Sequence, residues 1–592
     1  MKKYLLTLLT ALCLAALTAC GQSAPEPEVP EATPVPTPVP TPMVMDVSLG
    51  AEWYTIDPTY INHADTASLA GHLFEGLTHY VPVENPQDSA VVGTALTLGL
   101  AESYSVSEDG LRYTFMLRED ALWSDGQPVR AQDFVYSWRR LIAPKTELEL
   151  PHAVSVQQLY AVLKNAGPVS RGELPVEALG ITAEGDKVLH IDLEQPCPYF
   201  LKLCANISLV PLRQDVIEAH GGDWTNERNI VTCGPYTISS WIHDDRLTMV
   251  PNEYYYDAEN LGPQELRWNF SDSGAAAVQE LRSGVQDFIT GIPGALLPEL
   301  EAEGLASSRS HAGTYYLYIN ANAVGDWRVR AAMMLSIDRE AITEAIGDGT
   351  SPAVGLIPAG VATTDGTEYV PAPTADQQPM YAWLQSQYPN DDLNTYEGRC
   401  SVARKLYNAA LAAKSWYTSY QVYYRFNDST VNRIVADTCA KNWQEVLGLR
   451  ANFVEIDAAE YAESLRSGHF GVGYLQWLPD YNDPQSFLEL MRRGGEYNYS
   501  GWADIRYNDL LDRIAVTGSA AERDALQLQS DAMLFTEGGF AVCPVYYLGE
   551  SYGAGSTVHN VGHNAFGHYY FQYAHLDPDP VVTPSPVPSP EA

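Results

Sequence analysis

Thirteen histidines, 74 acidic side chains and eight cysteines give this chain many groups that could do chemistry, so their spacing decides what they can do. His63, His72 and His79 form the densest histidine group, at intervals of nine and seven, which fits no common metal motif. Core or solvent-facing roles are the expectation for all three. The chain has no His-Glu-x-x-His, no Gly-x-Ser-x-Gly elbow and no phosphate-binding loop. Paired acids such as Asp244-Asp245 and Asp391-Asp392 sit in polar stretches and read as solvated turns. Cys197, Cys204, Cys233, Cys400, Cys439 and Cys543 contain no Cys-x-x-Cys pair, so no zinc site, no other metal site and no cofactor is expected. Buried thiols are the expectation, with room for one bridge.

The one cysteine with a chemical setting of its own is Cys20. Lys2 and Lys3 precede an apolar run from Tyr4 to Leu17 that is too short for a stop-transfer helix. The run ends in Leu17-Thr18-Ala19-Cys20-Gly21, which resembles the bacterial lipobox, in which the cysteine sulfur takes a lipid and becomes the mature N-terminus. Residues 1–19 are thus expected to be a signal peptide. Residues 20–42 (PEPEVPEATPVPTPVPTP at their centre) should form a stiff polyproline tether. A globular body held off the outer face of a membrane narrows function to capture, sensing or surface hydrolysis. A second Pro-rich tail occupies 577–592.

The body that must position any site is long enough for at least two lobes. An apolar fraction of 46% describes a folded protein. The formal charge of −39 repels nucleic acid and anionic lipid, so neither is expected as a partner. Tyr113–Leu117 and Lys187–Leu193 read as strands, and Gly313–Asn320 as a third. Helical spacing appears in 131–142, 327–337, 339–346, 401–414 and 428–447. Strands and helices alternate throughout, which predicts α/β lobes.

Several stretches resemble the peptide/nickel class of extracellular solute-binding proteins that feed ATP-binding-cassette importers, most closely its oligopeptide-binding branch. They are Ile56-Asp57-Pro58 with Leu73-Phe74-Glu75-Gly76-Leu77, and the long run from Ala101 to Trp138 (AESYSVSEDGLRYTFMLREDALWSDGQPVRAQDFVYSW). Pro198-Tyr199-Phe200, NIVTCGPYTISSW from Asn229, TYYLYIN, DWRVRAAM and IDREAI follow, then LPDYNDPQSFL from Leu478 and CPVYY from Cys543. The resemblance implies a two-lobed clamp with an extra third domain. One discontinuous lobe would comprise 43–78, 208–312 and 550–576, a second domain 79–207 would pack on it, and the other lobe would span 313–549. Ligand would be enclosed by hinge closure.

A peptide of varied sequence offers three constant features: its ammonium, its carboxylate and its backbone amides. A buried ammonium requires a carboxylate, and backbone groups can be met by strand addition. By position in the resemblance, Asp480 is the ammonium partner, although it would equally cap the turn before Asn482-Asp483-Pro484. Trp477 would wall the first side-chain pocket or sit in a core. Thr66 and Ala67 match a segment that pairs backbone to backbone with ligand. Tyr316 matches a cleft-lining position that strand packing also explains. Tyr474 stands where some members carry an arginine for the ligand carboxylate, and Gly313 and Leu478 stand where some relatives have a disulfide. The resemblance therefore implies a lipid-anchored, monomeric binder of oligopeptides on the extracellular face of the cell membrane, working with an integral-membrane permease and carrying out no reaction. A metal chelate, an opine or a signalling peptide on the same fold, a surface hydrolase, and a non-transporting sensor stay open as alternatives.

Overall fold

The computed structural model describes residues 42–577 apart from 53–54, 62, 84–88, 145–158, 160–161, 272, 365, 414–420, 428, 480 and 496. Cys20, nearly all of the expected tether and all but the first residue of the C-terminal Pro-rich tail lie outside the described residues.

An eleven-stranded sheet runs through the body. On one side it holds Val44–Ser48, flanked in parallel by Glu265–Asn269 and Phe288–Thr290, with Arg246–Pro251 and Tyr236–Ile242 continuing antiparallel. On the other side Val472–Trp477, Gln421–Asn427 and Arg450–Ile456 follow in order. The last two are parallel, as their crossover helix Thr430–Leu447 requires. That helix starts where the Ser429 hydroxyl accepts from the Asn432 amide, and it stops at Gly448 (φ 66°). Its Val435, Ala436, Cys439 and Trp443 are buried.

Two long strands, Ala306–Ile319 and Val542–Ala554, join the two sides. Residues 306–310 pair with 549–553, and 314–318 pair with 542–547, with a break in register between Ser310 and Thr314. Beside the break the backbone of Gly549 comes so close to Gly349 that a Cβ would lie 1.9 Å from the Gly349 carbonyl oxygen, so a side chain has no room there.

Two large apolar cores result. One gathers Met45 to Trp268 with Phe288 and the returning chain at 552–574. The other spans Ala312 to Leu548. The first also contains the antiparallel sheet of Ala101–Val106, Arg112–Leu117, Val188–Asp192 and Ile181–Glu184, covered by helix Ala131–Ile142. Asp57 of the Ile56-Asp57-Pro58 motif secures that helix. Its carboxylate takes both Arg140 guanidinium nitrogens at 2.6 and 2.9 Å, the Trp224 indole N–H at 3.0 Å and the Thr59 amide at 3.0 Å. Burial opposes the charged form, yet Arg140 holds the Asp57 carboxyl below the usual carboxylate range. All six body cysteines are buried and free.

Candidate functional site

A cavity of about 450 Å³ lies where the two cores face each other. Ile61, His63, Ala64 and Ala67 supply one wall and Phe566 and His568 extend it. Leu475 to Pro479 with Tyr497 and Tyr499 form the opposite wall, and Lys202 to Ile207 close one end. No acidic side chain stands among these described lining residues. A larger open hollow of about 980 Å³ around Asp57, Trp224 and Trp241 borders the first core only. There the Glu52 carboxylate already accepts from the Trp241 indole at 2.8 Å and from His243 at 2.6 Å.

The strand Val472–Trp477 gives the cleft its most specific feature. Its inner edge pairs with Thr314–Ile319, whereas on its outer edge Gln421–Asn427 reaches only as far as Val472. The Tyr461 hydroxyl occupies that outer edge at Tyr474, accepting from the Tyr474 N–H and donating to the Tyr474 carbonyl, each at 2.6 Å. The Tyr474 backbone therefore faces away from the central strand. Backbone direction alternates along an antiparallel strand, so the N–H and carbonyl of Gln476 face the same way, on the cavity wall. No strand covers that edge among the described residues.

The residues expected from the sequence fall into three groups. Trp477 and Ala67 border the cavity. Trp477 is buried, with its ring 5.0 Å from that of Tyr497. Thr66 and Ala67 lie inside helix Ala64–Leu73, and the Ala67 amide donates to the His63 carbonyl at 3.0 Å. The backbone pairing with ligand expected of this segment meets a helix there, which has already taken that donor. Tyr316 and Tyr474 are not among the lining residues. Tyr316 is fully buried and shares a hydrogen bond with the Tyr318 hydroxyl at 3.0 Å. Tyr318 in turn donates to the Tyr497 carbonyl at 2.5 Å, so Tyr316 supports the wall from behind. Tyr474 stacks between Tyr461 and Tyr315 at 4.9 and 5.2 Å and receives the Asn432 amide at 2.9 Å. Asp480 lies outside the described residues. Gly313 and Leu478 are neighbours: a Cβ on Gly313 would lie 3.0 Å from the Leu478 Cδ2.

Sequence reasoning missed Tyr497, Tyr499, Phe566 and His568. The alternation Tyr497-Asn498-Tyr499-Ser500 is the one local signal that could have flagged the first two. It also missed how the segment after Asp480 is held. The Tyr481 ring lies 3.7 Å from that of Tyr199, nearly parallel at 7°, inside the first core. Asp483 is buried against Arg523, with two bonds of 2.7 and 2.9 Å. Lys202 donates to the Asn482 carbonyl at 2.7 Å.

The comparisons with known proteins agree with this geometry. The model of bacterial extracellular solute-binding proteins, family 5, matches residues 95–499. The chain belongs to that family. Its members are solute-binding proteins. The periplasmic oligopeptide-binding protein OppA of Escherichia coli is 29% identical over 84% of this chain and 86% of its own. OppA of Bacillus subtilis is 25% identical over 90% and 92%. A probable deoxycholate-binding periplasmic protein of Escherichia coli is 27% identical over 86% and 89%. Among solved structures, the unliganded open form of the murein tripeptide-binding protein MppA covers 90% of this chain and 97% of its own, with a TM-score of 0.74 at 25% identity. The fold is thus the mixed α/β, multi-domain clamp of periplasmic peptide-binding proteins. No described helix is long and apolar enough to cross a membrane.

Proposed function

We propose that this chain captures oligopeptides outside the cell and delivers them to an ATP-binding-cassette permease, held at the membrane by a lipid on Cys20 and working as a single chain without turnover. The observation that carries the reading is the uncovered outer edge at Gln476 on the cavity wall, which offers one donor and one acceptor to an extended backbone. Relatives named for binding oligopeptides and murein peptides support it. Asp480, next to the lining residue Pro479, is the residue we assign to the ligand ammonium.

The test is a double cycle by calorimetry with free and N-acetylated tripeptides. A desolvated carboxylate facing an ammonium is worth about 2–5 kcal/mol on truncation, so Asp480→Asn should weaken free peptides by roughly 30-fold to a few thousand-fold. Acetylated peptides should bind weakly and lose little more. Equal losses for both sets would make Asp480 structural, and an absence of binding by any peptide would overturn the function.

A second reading has an observation of its own. The cavity walls are mainly apolar and aromatic, and one relative is named for probable deoxycholate binding. Saturable binding of deoxycholate, with no peptide competing, would favour an amphiphile as the solute.

A further inference from the structure

Behind the cleft lies a smaller chamber of about 40 Å³, and Ala67, Tyr80, Ala205, Ile207 and His568 border both spaces. Two of those five, Ala67 and Ala205, put only a methyl group into the partition. The inner chamber mixes polar and apolar walls, and most of its polar groups are satisfied. The Glu75 carboxylate accepts from the Tyr255 hydroxyl at 2.5 Å and the Tyr256 hydroxyl at 2.6 Å, with His79 at 3.4 Å. The Tyr570 hydroxyl receives the Asn564 amide at 3.0 Å.

Two groups are left over. The Tyr80 hydroxyl and the Gln572 Oε1 have no hydrogen-bond partner among the described residues, although Tyr80 is 7% and Gln572 3% exposed. Buried polar atoms in native proteins almost always find partners, and a space of this size holds at least one water-sized group. What satisfies every group must donate to the Gln572 amide carbonyl and, to take the Tyr80 proton as well, accept from the phenol, while filling one or two atomic positions. A hydroxyl does both. A carboxylate would confront the Gln572 oxygen and the Glu75 carboxylate. An ammonium has no lone pair with which to take the Tyr80 proton.

We propose that this chamber is a hydroxyl-reading subsite of the cleft, which takes the phenolic hydroxyl of a ligand tyrosine while the ring stays among apolar walls. The proposal rests on the peptide-capture reading and adds a preference to it. It is tested by calorimetry with alanine tripeptides carrying tyrosine, phenylalanine or lysine at each position in turn. At one position tyrosine should bind roughly tenfold tighter than phenylalanine, the value of two net hydrogen bonds. Tyr80→Phe should cut that ratio to about a third, and Tyr80→Phe with Gln572→Leu should bring it within about twofold of one. Each ratio is internal to one protein, so general damage cancels, and the single variant removes one atom if the double fails to fold. Equal binding of tyrosine and phenylalanine at every position overturns the subsite while leaving peptide capture intact. So does a ratio that survives both substitutions, or a lysine peptide that outbinds tyrosine. If no tripeptide binds, peptide capture fails and the subsite falls with it.

Discussion

Asp483→Asn is the perturbation that most directly tests how the cleft wall is anchored. Asp483 and Arg523 side chains are 1% and 0% exposed and share two hydrogen bonds. The Asp483 carboxylate also accepts from the Gln527 amide at 2.9 Å and the Gln485 backbone N–H at 3.0 Å. The Arg523 terminal nitrogens also donate to Thr364 and Gln485, each at 2.9 Å. Asparagine keeps the shape but turns an amide toward the guanidinium and leaves a full positive charge in the interior. Removing one partner of a buried pair costs about 3–5 kcal/mol. With unfolding entropy near 2 cal/mol/K per residue, a body of this length loses about one degree of Tm per kcal/mol, so Tm should fall by about 3–5 °C.

The apolar double replacement, Asp483→Leu with Arg523→Leu, removes both charges and should sit within about 2 kcal/mol of the parent. Thermal melting of the three proteins in one buffer reads the comparison. The order expected is parent and double variant together, single variant below. Because Leu478 and Pro479 on the same segment line the cavity, the single variant should also release ligand faster. An Asp483→Asn protein that melts within a degree of the parent would refute the reasoning. A double variant that melts as low as the single would do the same, since uncompensated charge would then not be the cause.

Three further outcomes follow from named groups. His72 is buried, donates from Nδ1 to the Ser68 carbonyl at 2.7 Å and accepts the Phe571 amide at Nε2 at 2.9 Å, and burial pushes it down to about 4. Its neutral form stabilises the fold above pH 6.5, and roughly 3 kcal/mol is lost as pH falls from 6.5 to 4. Denaturant unfolding should show that slope in the parent and its absence in His72→Gln. Asp531 is fully buried and burial raises it to about 7 against the Leu356 backbone amide. Its protonated form stabilises the fold at low pH, and roughly 4 kcal/mol is lost as pH rises from 4 to 7. Asp531→Asn should therefore gain on the parent over that window, and parallel curves would refute it. Cys20→Ala should move the protein from the membrane fraction to the soluble one, and retention in membranes would refute lipid anchoring.

Local periodicity made much of the fold legible. The runs at 113–117 and 187–193 appear as strands 112–117 and 188–192, and 131–142 is a helix over the range read from its spacing. The run at 313–320 was seen only in part, because its first half, 306–310, is polar (ASSRS) and is held as a strand by residues 549–553 far away in the chain. Long-range pairing of that kind leaves no local signature. The same limit explains the site. Period-two alternation puts Tyr315 and Tyr316 on opposite faces of a strand but cannot say which face meets the cleft. Here Tyr315 joins a stack with Tyr474 and Tyr546, and Tyr316 backs Tyr318 behind the wall. Trp477 and Ala67 reach the cavity because their elements end or begin at it.

Among the described residues, two of the places that join the halves differ in character. The crossing strands are a covalent connection whose register breaks between Ser310 and Thr314. The second is the Tyr199–Tyr481 stack, non-covalent and buried, with Tyr481 in the core of the half opposite to the strand that leads into it. Pulling that ring out would expose a large aromatic face, a cost of about 2–3 kcal/mol on area alone, and would also strip Lys202 from the Asn482 carbonyl. The walls that carry Ile61, His63 and Ala67 and those that carry Tyr497 and Tyr499 have the cavity between them. A rotation that moved those walls apart while leaving both junctions in place would break neither of these contacts. The Asp483–Arg523 pair bears on binding for this reason: it holds the segment that carries Tyr481.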